Sequence, residues 1–173
     1  MKLLTDTTKR EGTYVVSRAR LPTRAGHFEV VAFASAGVDL PHLALVRGGD
    51  LTGSEDVPVR VHTECLRGDA LGSLACDCRA ELELALDALG EEPRGVLLYL
   101  RESGDGRGLG LHGELSAEHE AHGDALCPRH DSALLTALVR ALGVASVAAV
   151  TSPAALTAGA RADAAFAVGC RRG

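Results

Sequence analysis

The stretch VHTECLRGDALGSLACDC carries three of the chain's five cysteines, Cys65, Cys76 and Cys78, together with Glu64, Asp69 and His62. Thiolates gathered this closely suit a soft or borderline divalent metal. Structural zinc sites usually draw four ligands from two pairs, whereas a catalytic zinc has three protein ligands and an open position for water. The local run offers three thiols and no fourth ligand at a usual spacing, which favours an open three-thiolate zinc site. Glu64, next to Cys65, is placed to act as general base or as a partner to the ligands. His62 lies three residues before Cys65 on an alternating strand pattern, so the two side chains should point to opposite faces. That argues against His62 as a ligand. Two alternatives remain open at this level. One is a closed site completed by Cys127, His130 or His62; the other is a set of unliganded core thiols.

A disulfide staple is the weakest reading. Five is an odd number of cysteines. No apolar run reaches the length of a membrane span, and MKLLTDTTKR turns polar at once, unlike a secretory leader. These features predict a cytoplasmic location, where thiols stay reduced. Hydrophobic residues make up 46% of the 173, enough for a packed core. Aromatics are only 3%, so that core must be built from Ala, Val and Leu. The net charge of −5 and the lack of a basic run exclude a nucleic-acid surface. Lys occurs only at Lys2 and Lys9, which leaves Arg to bind any carboxylate or phosphate. The expected partner is a small molecule, with no nucleic acid and no membrane.

The elements that must position these groups follow from hydrophobic periodicity. Residues 1–12 look loose. Strands are predicted at 27–35, 42–48 and 57–63, the last alternating apolar and polar and leading straight into Cys65. Residues 79–90 read as a helix with Leu82, Leu86 and Leu89 on one face and Gly90 as its C-cap. GVLLYL at 95–100 reads as a buried strand, followed by a Gly-rich loop at 101–115. Asp131 caps a second helix that ends at Gly143, and a strand is predicted at 144–150. Strands followed by strand–helix alternation predict one α/β domain over 1–173, with a mixed β-sheet flanked by helices.

RVHTECLRGDALGSLACDC closely resembles the zinc segment of GTP cyclohydrolase II, whose pattern is R-V-H-S-E-C, then G-D, then C-D-C. LPTRAGHFEVVAF resembles that family's opening strand, and GVLLYLRESGDGRGLGL its Y-L-R…E-G-R-G-I-G-L loop. The likeness is strong over 21–111 and weak beyond. It implies that Cys65, Cys76 and Cys78 bind zinc, whose water attacks C8 of guanine with loss of formate. It also implies that Arg60, Val61, His62, Thr63 and Glu64 lie along the nucleotide, with Arg60 toward the phosphates. Glu81 stands where the family has a base-contacting Gln, and Asp105, Gly106 and Arg107 stand at its E-G-R. Family members are usually homodimers, and the same is expected here.

The second half departs from the pattern. In the family, an arginine attacks the α-phosphorus so that pyrophosphate leaves, and an aspartate assists as base. Here His130 takes the arginine's place, Pro128 the aspartate's, and Glu118 that of a tyrosine near the ring; Arg129 is one position off. The family's T-N-N-P-x-K becomes TSPAAL, which keeps Thr151 but loses the phosphate-binding Lys. The losses fall on the phosphoryl-transfer half of the site, while the zinc half is intact. The expectation is a zinc-dependent hydrolase of this type, with weakened triphosphate recognition. It would act on a purine-like or guanidine/amidine-like carbon, in specialised metabolism. Glu64, His130 and Arg129 are its candidate catalytic residues. Mg2+ would be needed only for a polyphosphate substrate. The alternatives are the standard reaction, with Arg129 as nucleophile, and a non-catalytic zinc-stabilised binding protein.

Overall fold

The computed structural model describes residues 12–35, 40–74, 76–101 and 132–151. These form one six-stranded mixed sheet with a helix on each face. The strands are β1 (Tyr14–Thr23), β2 (Gly26–Ala34), β3 (His42–Arg47), β4 (Val57–Thr63), β5 (Gly95–Leu100) and β6 (Val147–Thr151), in spatial order β1-β2-β3-β5-β4-β6. The helices are α1 (Cys78–Gly90) and α2 (Ser132–Ala141). The β1–β2, β2–β3 and β3–β5 pairs are antiparallel, whereas β4 is parallel to both β5 and β6.

The connection from β4 through α1 to β5 steps one way across the sheet. The path from β5 through α2 to β6 steps back the other way. Parallel crossovers are right-handed, so opposite steps place the two helices on opposite faces. The core shows this division. On one face, Val57, Val59, Val61, Val96, Leu98, Val31 and Phe33 pack with Leu135, Leu138 and Val139 of α2 and with Leu142 just after it. On the other, Phe28, Leu45 and Leu97 pack with Ala85 and Leu89 of α1, with Leu82 and Leu86 at the margin. Val57, Val59 and Val61 thus face α2, which turns Arg60 and His62 toward the α1 face. The alternation read from the sequence of β4 is therefore the alternation that aims the site.

Four local expectations need correction. β1 begins at Tyr14, in a segment that sequence periodicity left unassigned. Most of its residues are exposed, and it is held by backbone pairing to β2 and by the Arg18–Glu29 ion pair at 2.8 Å. An edge strand without an apolar face has no hydrophobic period to detect. Gly90 is the last residue of α1 and not its cap, which is Glu91. A glycine is needed there because a Cβ would strike the carbonyl oxygen of Ala25. α1 also starts one residue earlier than expected, at Cys78. The last strand begins at Val147, later than expected, because 144–146 bridge to the β3–β4 loop: the Ala145 and Ser146 N–H groups donate to the Ser54 carbonyl. Gly143 does end the α2 segment, at φ +77°, in the left-handed region that suits glycine. The expected cap Asp131 lies outside the described residues.

No helix among the described residues is long and apolar enough to cross a membrane. Leu138 has no exposed surface and sits at the centre of the α2 face. Leu138→Ala should lower stability by about 2–5 kcal/mol, through lost burial and the cavity left behind. Urea unfolding should show an earlier midpoint with an unchanged slope.

Candidate metal and substrate site

The carboxyl ends of the parallel strands β4 and β5 open toward the first turn of α1. Such strand ends are where open α/β sheets bind ligands. The chain leaves β4 at Thr63, passes Glu64 and Cys65, and winds through one π-helical turn, Leu66–Ala70. It returns through Cys76 to Cys78, the first residue of α1.

This path brings the Cys65, Cys76 and Cys78 sulfurs within 4.8 Å of one another. The Cys65 and Cys76 Sγ atoms are 3.8 Å apart, and all three thiols are free. The separation is far beyond a disulfide bond of about 2.05 Å. It matches the edge of a tetrahedron with metal–sulfur bonds of about 2.3 Å, which is about 3.8 Å. Gly68, inside the π-turn, donates its N–H to Cys65 Sγ at 3.4 Å. A Cβ at Gly68 would lie 2.9 Å from both Cys76 Sγ and Cys78 Cβ, so glycine is what lets the sulfurs converge. Burial pushes the Cys65 thiol up from its ordinary pKa. At Cys78 burial does the same, and the neighbouring sulfurs add to it. Cys65 and Cys78 therefore resist ionising beside neighbouring sulfurs, and a divalent cation removes that resistance. The donor set therefore fits zinc.

Asp69, on the same turn, is 6% exposed and gathers three donors. Its Oδ2 accepts from the Cys65 N–H at 3.0 Å and from the Tyr99 hydroxyl at 2.7 Å. His62 Nε2 lies 3.1 Å from both carboxylate oxygens. His62 and Tyr99 are paired across β4 and β5, and their rings stack at 5.5 Å with planes 26° apart. Burial alone would raise the Asp69 pKa; the hydrogen bonds from His62, Cys65 and Tyr99 outweigh it and hold the carboxyl below its usual range. Tyr99 moves the other way, because burial and the adjacent carboxylate both disfavour a phenolate.

The candidate residues named from sequence divide between β4, its end and α1, and a set outside the described residues. Val61 is buried in the α2-side core and contributes backbone only. His62 directs its Nε2 to Asp69 and is not among the clustered sulfurs. Arg60 is half-buried on the α1 face, its pKa lowered by burial, and pairs in register with Thr151 on β6. Thr63 ends β4. Glu64 accepts from Arg101 Nε at 3.3 and 3.4 Å. The Arg101 backbone N–H in turn donates to Nδ1 of the buried His42 at 3.1 Å. Burial and the Arg101 charge lower the His42 pKa. Glu81 sits half-buried in the first turn of α1. Burial raises its pKa; the nearby His62 opposes this, and Asp77 and Asp69 reinforce it. Asp105, Gly106, Arg107, Cys127, Arg129 and His130 lie outside the described residues, as do the Glu118 and Pro128 departures.

Sequence reasoning gave no role to Asp69, Gly68, Tyr99 or Arg101. The G-D pair three and four residues after Cys65 was the available signal for the first two. Tyr99 and Arg101 stand in the Y-L-R run of the family resemblance, but no spacing shows that they reach Asp69 and Glu64 from β5 and its end.

A model of the family described as GTP cyclohydrolase II matches residues 13–156. The chain belongs to the GTP cyclohydrolase II family. The match takes in α2 and β6, beyond the 21–111 stretch where the motifs are plain. The chain is 52% identical over 106 residues to the riboflavin biosynthesis protein RibBA of Rhodococcus jostii, covering 59% of this chain and 25% of that protein. It is 48% identical over 105 residues to GTP cyclohydrolase-2 of Aeromonas hydrophila, covering 61% of this chain and 52% of that protein. It therefore spans about a quarter to a half of the length of these relatives. A solved structure of RibBX from A. baumannii, a two-domain 3,4-dihydroxy-2-butanone 4-phosphate synthase, aligns at TM-score 0.48 and 18% identity, over 84% of this chain and 35% of that one.

The lowered Asp69 pKa has a definite pH signature. A carboxyl whose folded pKa lies below its unfolded value stabilises the fold above the ordinary carboxylate range and loses that contribution as pH falls through the folded value. Asp69→Asn should cost about 1–3 kcal/mol at pH 7. Its deficit against the native chain should shrink as pH drops below about 4, in denaturant melts taken across pH.

Proposed function

We propose that this protein is a zinc-dependent hydrolase of the GTP cyclohydrolase II type, in which Cys65, Cys76 and Cys78 hold the metal. The observation that carries this reading is the convergence of three free thiols around Gly68, at the carboxyl end of the strand bearing Arg60 to Glu64. Zinc bound to three thiolates supplies an activated water, with its pKa brought toward about 7, and a Lewis acid for a ring or amidine-like carbon.

The chain's own residues supply the rest. Arg60 presents a guanidinium beside Thr151 for an anionic group on the substrate. Glu81 projects a carboxyl toward the same space as His62, suited to a donor-rich purine or guanidine edge. Glu64, oriented by Arg101, borders the metal through its neighbour Cys65 and acts as proton acceptor in the hydrolysis. Triphosphate recognition is weakened, because the Lys after Thr151 is absent and His130 replaces a guanidinium with a ring that has at most one donor per nitrogen. The substrate is therefore a purine-like or guanidine-containing molecule carrying less phosphate than GTP. Arg129 and His130 are the positions that decide whether any phosphoryl chemistry persists.

Incubation of the zinc-loaded protein with GTP tests this directly. Formate release with little or no pyrophosphate is expected. Stoichiometric release of both at an ordinary enzyme rate would restore the standard reaction and sink the altered substrate.

Gly68→Ala tests the metal half. It should weaken cobalt binding on the order of 10- to 100-fold, read from thiolate-to-cobalt absorption, while far-ultraviolet circular dichroism stays native. Native-like cobalt affinity in that variant would contradict the thiol cluster as the metal site.

A further inference from the structure

Asp69 does more than close a turn. Its carboxylate meets three elements at once: β4 through His62, the π-turn through the Cys65 amide, and β5 through Tyr99. Oδ2 already takes the Cys65 N–H and the Tyr99 hydroxyl, and Nε2 is equidistant from both oxygens, the geometry of a carboxylate accepting a single N–H, which places the proton on Nε2. The partner of one ring nitrogen sets the protonation of the other. With Nε2–H committed to Asp69, a neutral His62 ring has Nδ1 as its one acceptor. The arrangement is rigid. Both oxygens are 3.1 Å from Nε2, the Tyr99 ring stacks on the imidazole, and the His62 and Asp69 side chains are nearly sealed from solvent.

We propose that Asp69 is a positioning residue for the reaction: it holds the His62 imidazole in the Nε2–H form, so that Nδ1 serves as an acceptor for the ligand carried along Arg60 to Glu64. The same carboxylate holds the Cys65 amide, which ties the tautomer of the substrate strand to the seat of the first thiol. The proposal takes from the proposed function only that this strand faces the ligand.

The test uses the full chain, labelled with 15N in histidine, in metal-free and zinc-loaded forms. The His62 signals are identified by their loss in His62→Gln. In the native chain, His62 should show a protonated Nε2 and an unprotonated Nδ1 in both forms. Asp69→Asn puts an amide N–H2 against the ring and should shift His62 toward the Nδ1–H form. Formate release from GTP should fall at least 10-fold in that variant. Tyr99→Phe removes a brace but keeps the carboxylate, and should retain the Nε2–H form. His62→Gln can still donate to Asp69 but lacks the Nδ1 acceptor, so it should melt near the native temperature and lose formate release.

A native chain with the proton on Nδ1 would overturn the proposal whatever the variants do. So would an Asp69→Asn protein that keeps both tautomer and activity. A native chain with the Nε2–H form but no zinc binding and no formate release would leave the Asp69–His62 assignment standing, and the failure would belong to the proposed function.

Discussion

A buried carboxylate is costly unless its lone pairs are met by donors held in place. Asp69 meets that demand by drawing His62, Tyr99 and the Cys65 amide onto two oxygen atoms. Each donor comes from a different part of the chain, so the carboxylate closes only when β4, the π-turn and β5 are all in register. The position of the first thiol, the stacking of the two rings and the direction of the turn depend on that closure. Removing the carboxylate strands three donors. Adding a methyl one residue earlier, at Gly68, separates the sulfurs.

The sheet supplies the register that this closure needs. β4 and β5 are parallel, so their carboxyl ends share an edge and His62 falls beside Tyr99. α1 begins at the third thiol and covers the same face, which brings Glu81 toward His62 and Asp69. α2 covers the other face with an apolar, mostly aliphatic core and brings β6 alongside Arg60. The two crossovers therefore divide the labour: one builds the polar, metal-facing side, and the other the apolar anchor that keeps β4 straight.

Much of this was legible in the sequence, for identifiable reasons. The period of two in VPVRVHT predicted β4 with its correct ends. The leucine spacing predicted the buried face of α1. The Cys65, Cys76 and Cys78 spacing pointed to a three-thiol site and to the family. β1 was not legible, because a mostly exposed edge strand is specified by pairing with β2 and not by its own apolar pattern. The role of Gly90 was not legible either, since its constraint is the Ala25 carbonyl oxygen far away in the chain.

The sequence by itself determined the donor set, the alternation that aims β4, and the family to which the chain belongs. These depend on residue type and short spacing, which the local backbone converts directly into geometry. Only the tertiary structure decided the partners of the charged groups. Tyr99 reaches Asp69 across 30 residues, and Arg101 reaches Glu64 across 37. Such choices follow from strand order and from which face a helix covers. His62 was a candidate ligand by composition, and the parallel pairing of β4 with β5 made it a ring held by Asp69. A side chain's hydrogen-bond partner is set by what the completed sheet places beside it, and no spacing along the chain carries that information.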